Sequence, residues 1–412
     1  MSDKPMNHET YWGLEKTSRL PGFHSLPIGE RAQATGLFAK FDQEDLAVIQ
    51  SFGAISKELT DTFIENAVGT FSLPLGIATN FLINGKDYLI PMAVEESSVV
   101  AAASHGAKFA RVGGGFKCSS TEPIMTGQLQ LKLEHMRPEY KAEIQELLIA
   151  AKPDLIEFAN RGLERLIERG GGVKDIEWRA LPELDQMIIH ISIDTRDAMG
   201  ANIVNTVCEK LAKVIGKLIP GVETGLRILT NLTIHRRARA ECVIPACAFE
   251  RPEYRGEQVT KGIREAWLFA KHDIYRATTN NKGVMNGIDP VVIATGNDWR
   301  ATEAGCHAWA ARNGSYEPLA EWSLDSEQNL KGVLEVPMAV GTVGGVTRLH
   351  PTARASLKIL GFPNAKELSE IIVAVGLAQN LSALRALACE GIQKGHMDLH
   401  SKNLQLLRKN HI

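Results

Sequence analysis

A lysine, an aspartate and several small polar residues crowd one stretch of this 412-residue chain. It reads Arg276-Ala-Thr-Thr279-Asn280-Asn281-Lys282-Gly-Val-Met-Asn286-Gly-Ile-Asp289, then Pro-Val-Val-Ile-Ala-Thr-Gly296-Asn297-Asp298. A lysine ammonium stabilises a developing oxyanion in a dry site, and a carboxylate beside it tunes or relays protons. Thr-Thr-Asn-Asn-Lys-Gly and Asn-Gly carry turn chemistry, whereas Val291 to Ala294 is a short apolar run. The expectation is a polar loop and then a buried strand, with Lys282 just before the strand and Asp298 just after it. A solvated turn with a surface lysine has the same composition, so this stretch alone does not decide its function.

Other candidates sit at helix starts. A strand from Tyr88 to Val94 delivers Glu95-Glu96-Ser97-Ser98 to an alanine-rich helix running through Ala110, where such residues act as caps or as proton-transfer groups. Asp194-Thr-Arg-Asp197-Ala-Met199-Gly200-Ala-Asn202 closes a strand and opens a helix. Free amides at a helix start, with a glycine for close approach, suit an anion, but Asp197 itself reads first as a plain N-cap. The fingerprint G-x-G-x-x-G is absent, so a Rossmann site is not indicated. His396-Met-Asp-Leu-His400 places two histidines on one helical face, but H-E-x-x-H lacks its glutamate here and no third ligand stands out. No metal is expected, and His396 reads as a surface or capping residue, or as a proton donor. The cysteines are scattered, with only Cys242 and Cys247 close, and read as free thiols in a reducing cytosol.

The elements that must position these residues follow from composition and period. Lys plus Arg number 46 against 48 Asp plus Glu, which gives no global attraction to nucleic acid or an anionic membrane. No unbroken apolar run approaches the ~18 residues of a membrane span, and the polar N-terminus is no signal peptide; a cytoplasmic protein is expected. Residues 1–30 read as an arm, 43–52 and 56–67 as helices with Gly69 as a C-cap, and Asn84-Gly85 as a hairpin turn. Between 124 and 232 the pattern becomes strand, long helix (138–169), two strands, helix, strand. That β-α-β-β-α-β order is ferredoxin-like. The fold class is α/β (α+β), with a non-Rossmann small domain, 124–232, inserted in a large discontinuous domain made of 1–123 and 233–412. The last third adds a strand over 332–340, a glycine-rich turn from Gly341 to Thr347, and helices over Ala365–Ala378 and from Leu381 to about His400.

Six segments taken in order resemble the class II, bacterial-type 3-hydroxy-3-methylglutaryl-CoA (HMG-CoA) reductases. They are Glu65-Asn66-Ala-Val-Gly69, Val94 to Ser104 with Glu96 and Ser98, Asp197 to Asn202, Asn281 to Asp289, Ala294 to Arg300, and Gly391 to Met397. The likeness covers residues 18–405. It implies catalytic roles for Lys282, Glu96, Asp298 and the mobile His396. It implies contacts to the hydroxymethylglutaryl portion, or support of it, by Ser98, Asn231, Arg276, Thr279, Asn286 and Gln379. Glu65, Asn66 and Gly69 fall in the CoA-associated segment, and Asp197, Met199, Gly200 and Asn202 in the NAD(P)-binding loop. The family reduces HMG-CoA to mevalonate and CoA with two hydrides, in homodimers with interfacial active sites that also assemble as trimers of dimers.

Two departures stand out. Ser97 replaces the proline that follows the glutamate in the bacterial pattern, and the chain stops at Ile412, where many relatives continue into a helical flap. Cofactor choice is open between NADH and NADPH. Leu163 stands where NADH-preferring relatives carry an acid, with Arg161 and Arg165 beside it to receive a 2′-phosphate. Competing readings are a Schiff-base lyase using Lys282 and a non-catalytic CoA-binding relative. The Asp197 loop disfavours the first and the complete catalytic set the second.

Overall fold

The computed structural model describes residues 17–53, 55–389 and 391. Three short helices come first, α1 (Ile28–Ala39), α2 (Gln43–Gln50) and α3 (Lys57–Phe63). The arm expected over 1–30 thus gives way to helix at Ile28. Helix α3 ends at Phe63 with Ile64 as its cap, so Gly69 is not the cap the sequence suggested; it lies in exposed chain. The hairpin of β1 (Leu75–Ile83) and β2 (Lys86–Ala93) turns at Asn84 and Gly85, whose φ angles of 48° and 77° are those a two-residue turn requires. Helix α4 (Val99–Val112) is clamped to the hairpin by the two-pronged pair of Arg111 with Asp87, at 2.8 and 3.1 Å. The short strand β3 (Lys117–Ser120) follows.

The middle of the chain runs β4 (Ile124–Lys132), α5 (Pro138–Asn160), α6 (Glu164–Ile167), β5 (Gly172–Leu181), β6 (Gln186–Asp194), α7 (Ala201–Leu218) and β7 (Glu223–Leu229). Its sheet has the order β5-β6-β4-β7 with all neighbours antiparallel. Val204, Val207, Cys208, Leu211, Ala212 and Ile215 recur at helical spacing on α7 and seal one face of that sheet. The single helix expected over 138–169 is broken at Gly162, which takes φ 84°.

The remainder is β8 (Arg237–Ile244), α8 (Gly256–His272), α9 (Ile274–Ala294), α10 (Trp299–Ala310), β9 (Ala320–Leu324), β10 (Leu330–Pro337), α11 (Gly345–Leu349), α12 (Pro351–Ile359) and α13 (Ala365–Ala388). Strands pair in the order β3-β8-β10-β9. The two helices expected after Ala365 are one, because Gln379 and Asn380 are buried in its middle and held there by packing and hydrogen bonds. By length and hydropathy α13 alone among the described helices would pass for a membrane span, but 72% of that window is buried within the fold. It is a core helix. α4 and α9 cross it where glycines let the backbones meet: a Cβ on Gly106 would lie 2.0 Å from Ala378 O, and one on Gly287 2.7 Å from Val375 O.

The stretch from Arg276 to Ala294 is therefore neither loop nor strand. It is the 21-residue helix α9, started by Asp273, whose carboxylate accepts Arg276 N–H at 2.7 Å. Ala277, Asn281, Val284, Ile288 and Val291 face inward at helical spacing. Two asparagines that looked like turn residues are buried anchors. Asn281 accepts Leu319 N–H at 2.8 Å and donates to Glu317 O at 2.9 Å. Asn280 accepts from Asn380 at 3.0 Å, and Asn380 accepts the indole N–H of Trp322 at 2.7 Å.

Candidate active site

Helix α9 presents Arg276, Thr279, Lys282 and Asn286 along one face, three to four residues apart. Lys282 Nζ lies 3.0 Å from Glu96 Oε2, with the two side chains 60% and 38% exposed. Glu96 sits in the turn between β2 and α4, and the Gly106 and Gly287 crossings bring that turn and α9 together across α13. Ser98 closes the turn at φ 76° and makes no side-chain cap, so the capping reading fails and a non-glycine residue is held in the left-handed region beside the pair. Gln379 comes from α13, its Cβ side against Gly287; its Oε1 is buried with no partner among the described residues. Thr279 bonds back to Tyr275 O at 3.2 Å, and half-burial lowers the pKa of Arg276 from its ordinary value.

Asp298 follows the C-terminal end of α9. It begins α10, accepting the N–H groups of Arg300 and Ala301 at 3.1 Å each and Arg300 Nε at 3.4 Å. At 1.5 Å per residue the helical path from Lys282 to the end of α9 is about 18 Å. The strand expected between lysine and aspartate is thus the C-terminal half of a helix. Asn231 packs on the middle of α10: its carbonyl abuts Gly305, where a Cβ would come within 2.7 Å. Glu65 and Asn66 form an exposed turn after α3, with Asn66 at φ 56°, and Gly69 follows in extended chain. His396 lies outside the described residues.

The Asp197 loop is tied down at many points. Its carboxylate accepts Ala365 N–H at 2.9 Å, so Asp197 serves the start of α13, beside its Asn364 cap, rather than the helix that follows it. That following helix, the 18-residue α7, starts at Gly200 (φ 95°) without any side-chain cap, which leaves its first amides to an anion. Met199 is half-buried against the small-sheet core, and Asn202 is exposed in the first turn of α7. Leu163 is the residue preceding α6, flanked by exposed Arg161 and Arg165. The neighbouring acid, Glu164, turns its carboxylate onto Gly162 N–H at 2.7 Å, which lowers its pKa.

One cluster escaped the sequence reading. Asp289 on α9 shares a proton with Glu303 on α10; burial first, then that hydrogen bond, pushes the Asp289 pKa up to about 9. Glu303 is held below its ordinary value by His307, whose Nε2 is 2.6 Å away, and the same bond raises His307. His307 Nδ1 is 2.7 Å from the Tyr316 hydroxyl. The i, i+4 spacing of Glu303 and His307 was a readable signal; their meeting with Asp289 was not.

An amide-lined helix start suits an anionic group, and a lysine–glutamate pair suits a developing oxyanion and its proton. The sequence profile of hydroxymethylglutaryl-coenzyme A reductase matches residues 30–401. The 3-hydroxy-3-methylglutaryl-coenzyme A reductase of Archaeoglobus fulgidus is 48% identical over 95% of this chain and 87% of its own length. A probable enzyme of the same name from Borreliella burgdorferi is 34% identical over 98% and 90%. Among solved structures, the class II reductase of Streptococcus pneumoniae bound to NADPH in open conformations superposes with a TM-score of 0.84 at 39% identity, covering 89% of this chain and 99% of that one. The chain belongs to the HMG-CoA reductase family, as an NAD(P)H-dependent enzyme of class II.

Proposed function

We propose that Lys282 and Glu96 form the reaction centre of HMG-CoA reduction in this chain, and the observation that carries this is their 3.0 Å pairing between α9 and the β2–α4 turn. The four-electron reduction takes two hydrides from two successive NAD(P)H molecules. Lys282 stabilises the oxyanion as the thioester carbonyl is reduced, first to the mevaldyl-CoA hemithioacetal and then, after loss of CoA, from mevaldehyde to mevalonate. Glu96, within hydrogen-bond reach of Lys282, protonates the first alkoxide, takes that proton back as the hemithioacetal collapses, and gives it to the second. His396 protonates the departing CoA thiolate. Arg276, Thr279, Asn286, Ser98 and Gln379 hold the hydroxymethylglutaryl portion, supported by Asn231, and Glu65, Asn66 and Gly69 meet CoA. The small domain is 124–232, inserted between 1–123 and 233–412, and its Asp197, Met199, Gly200 and Asn202 form the dinucleotide site, where α7's uncapped start fits a pyrophosphate.

Asp298 tunes this pair from a second copy of the chain. Its position beyond the far end of α9 supports a homodimer with shared sites, as does the exposed segment after α3, where Val68 and Phe71 are 104% and 92% exposed. Further assembly as a trimer of dimers and a cytoplasmic location belong to the same reading. Mixing inactive Lys282→Ala and Asp298→Ala proteins restores activity if sites are shared; no recovery on subunit exchange would place Asp298 in its own chain's site.

NADPH is admitted as cofactor, because Leu163 offers no carboxylate to a 2′-phosphate and Glu164 is engaged with Gly162. Absorbance at 340 nm with HMG-CoA, run with NADH and NADPH in parallel, tests both points. Two cofactor equivalents consumed per substrate are expected. Turnover with NADH and none with NADPH would overturn the cofactor assignment, and none with either the catalytic one.

A further inference from the structure

The loop proposed to hold the dinucleotide is supported from beneath by a charged residue with no part in the chemistry. Arg236 precedes β8 and is 4% exposed. Among the described residues its hydrogen-bond partners are all neutral. One terminal nitrogen donates to Thr195 Oγ1 at 2.9 Å, Ala198 O at 3.1 Å and Met199 O at 3.3 Å. The other donates to Val340 O. A buried guanidinium is tolerated only where its donors are served, and here most of the service comes from the turn that leads into α7. Burial lowers its pKa to about 10, with the charges of Asp194 and Asp197 opposing that fall, so the cation persists at neutral pH.

Segment 338–343, which receives the other side of the guanidinium, touches the same turn independently. Thr342 N–H donates to Asp197 O at 2.8 Å, and Ala198 bridges Val343. Gly341 packs so tightly that a Cβ there would lie 2.5 Å from Met199 N. The planar fork of arginine spans both segments at once, whereas an ammonium on a lysine stem serves one side only.

We infer that Arg236 is a positioning residue for dinucleotide binding. It fixes the Thr195–Met199 turn against segment 338–343, so the first amides of α7 are preset for the cofactor phosphates. The inference rests on the proposal that α7's start is the dinucleotide site. Direct titration of NADPH and NADH by nicotinamide fluorescence, with no HMG-CoA present, separates the two. Wild-type protein that binds neither cofactor overturns both.

If the wild type binds, Arg236→Lys is expected to raise the dinucleotide Kd by about tenfold, the worth of one lost hydrogen bond to a charged group. The KM for HMG-CoA stays unchanged. Thr195→Val, which deletes one acceptor and leaves the charge, gives a smaller rise in the same direction and carries the test if Arg236→Lys does not fold. A folded Arg236→Lys or Thr195→Val protein with wild-type dinucleotide affinity overturns the inference. So does a parallel rise in both KM values, the mark of general loosening.

Discussion

Lys282 and Arg236 are cations of one fold treated in opposite ways. Lys282 is 60% exposed in the side chain and meets one carboxylate, whereas Arg236 is 4% exposed and meets four neutral oxygens. The first arrangement is worth little to folding, since exposed ion pairs contribute about 0–1 kcal/mol. The second must be complete before it is tolerated at all. The difference separates the groups proposed to react, left open to solvent, from the scaffold around them, which closes when the chain folds.

The sharpest break of that contrast is Lys282→Ala. Turnover should fall by about 10²–10³, as for removal of an oxyanion donor, while the melting temperature holds. Near-normal turnover would remove Lys282 from the chemistry. Gly287→Ala should do the reverse and strike the scaffold. Its new Cβ meets Val375 O at 2.7 Å and Gln379 Cβ at 2.8 Å, an overpacking cost of about 1–3 kcal/mol readable by urea unfolding. Wild-type stability would mean that the α9–α13 crossing can relax.

Asp197→Ala removes the acceptor of the first α13 amide, leaving the Asn364–Glu367 capping box in place, and should cost about 1 kcal/mol, with a raised KM for the dinucleotide. A stability loss with unchanged cofactor KM would confine Asp197 to the scaffold. Asp289→Asn is read in the pH dependence of stability rather than at one pH. Folded Asp289 keeps its proton to about pH 9, whereas an ordinary aspartate loses it near 3.8. The folded state therefore binds the extra proton between those values, and stability falls as pH rises through them. The amide should flatten that fall, so melting temperatures at about pH 5 and pH 8 differ less in the variant than in the wild type. An unchanged pH slope would deny the shared proton.

The sequence was legible where period and packing agreed. Alternation in β4 and β6 and the apolar stripe of α7 disclose the ferredoxin-like order directly. It misled at α9, where Gly287 exists for a backbone crossing and Asn280 and Asn281 for buried hydrogen bonds, so packing residues imitated a loop. The residues given catalytic roles were found through resemblance rather than spacing. The role of Arg236 and the partner of Asp197 were out of reach, since their contacts join positions brought together only by the complete fold.

Helix α13 has a consequence for what sequence change the molecule tolerates. One inserted or deleted residue would turn everything beyond it by about 100° and move it by about 1.5 Å. Its start is fixed by Asp197, its middle by Gly287 and Asn380, and its last turns lead toward His396. Substitutions can be absorbed one at a time along such a rod, but a change of register cannot. Its length should therefore be kept where its residues drift, and gaps should fall outside it.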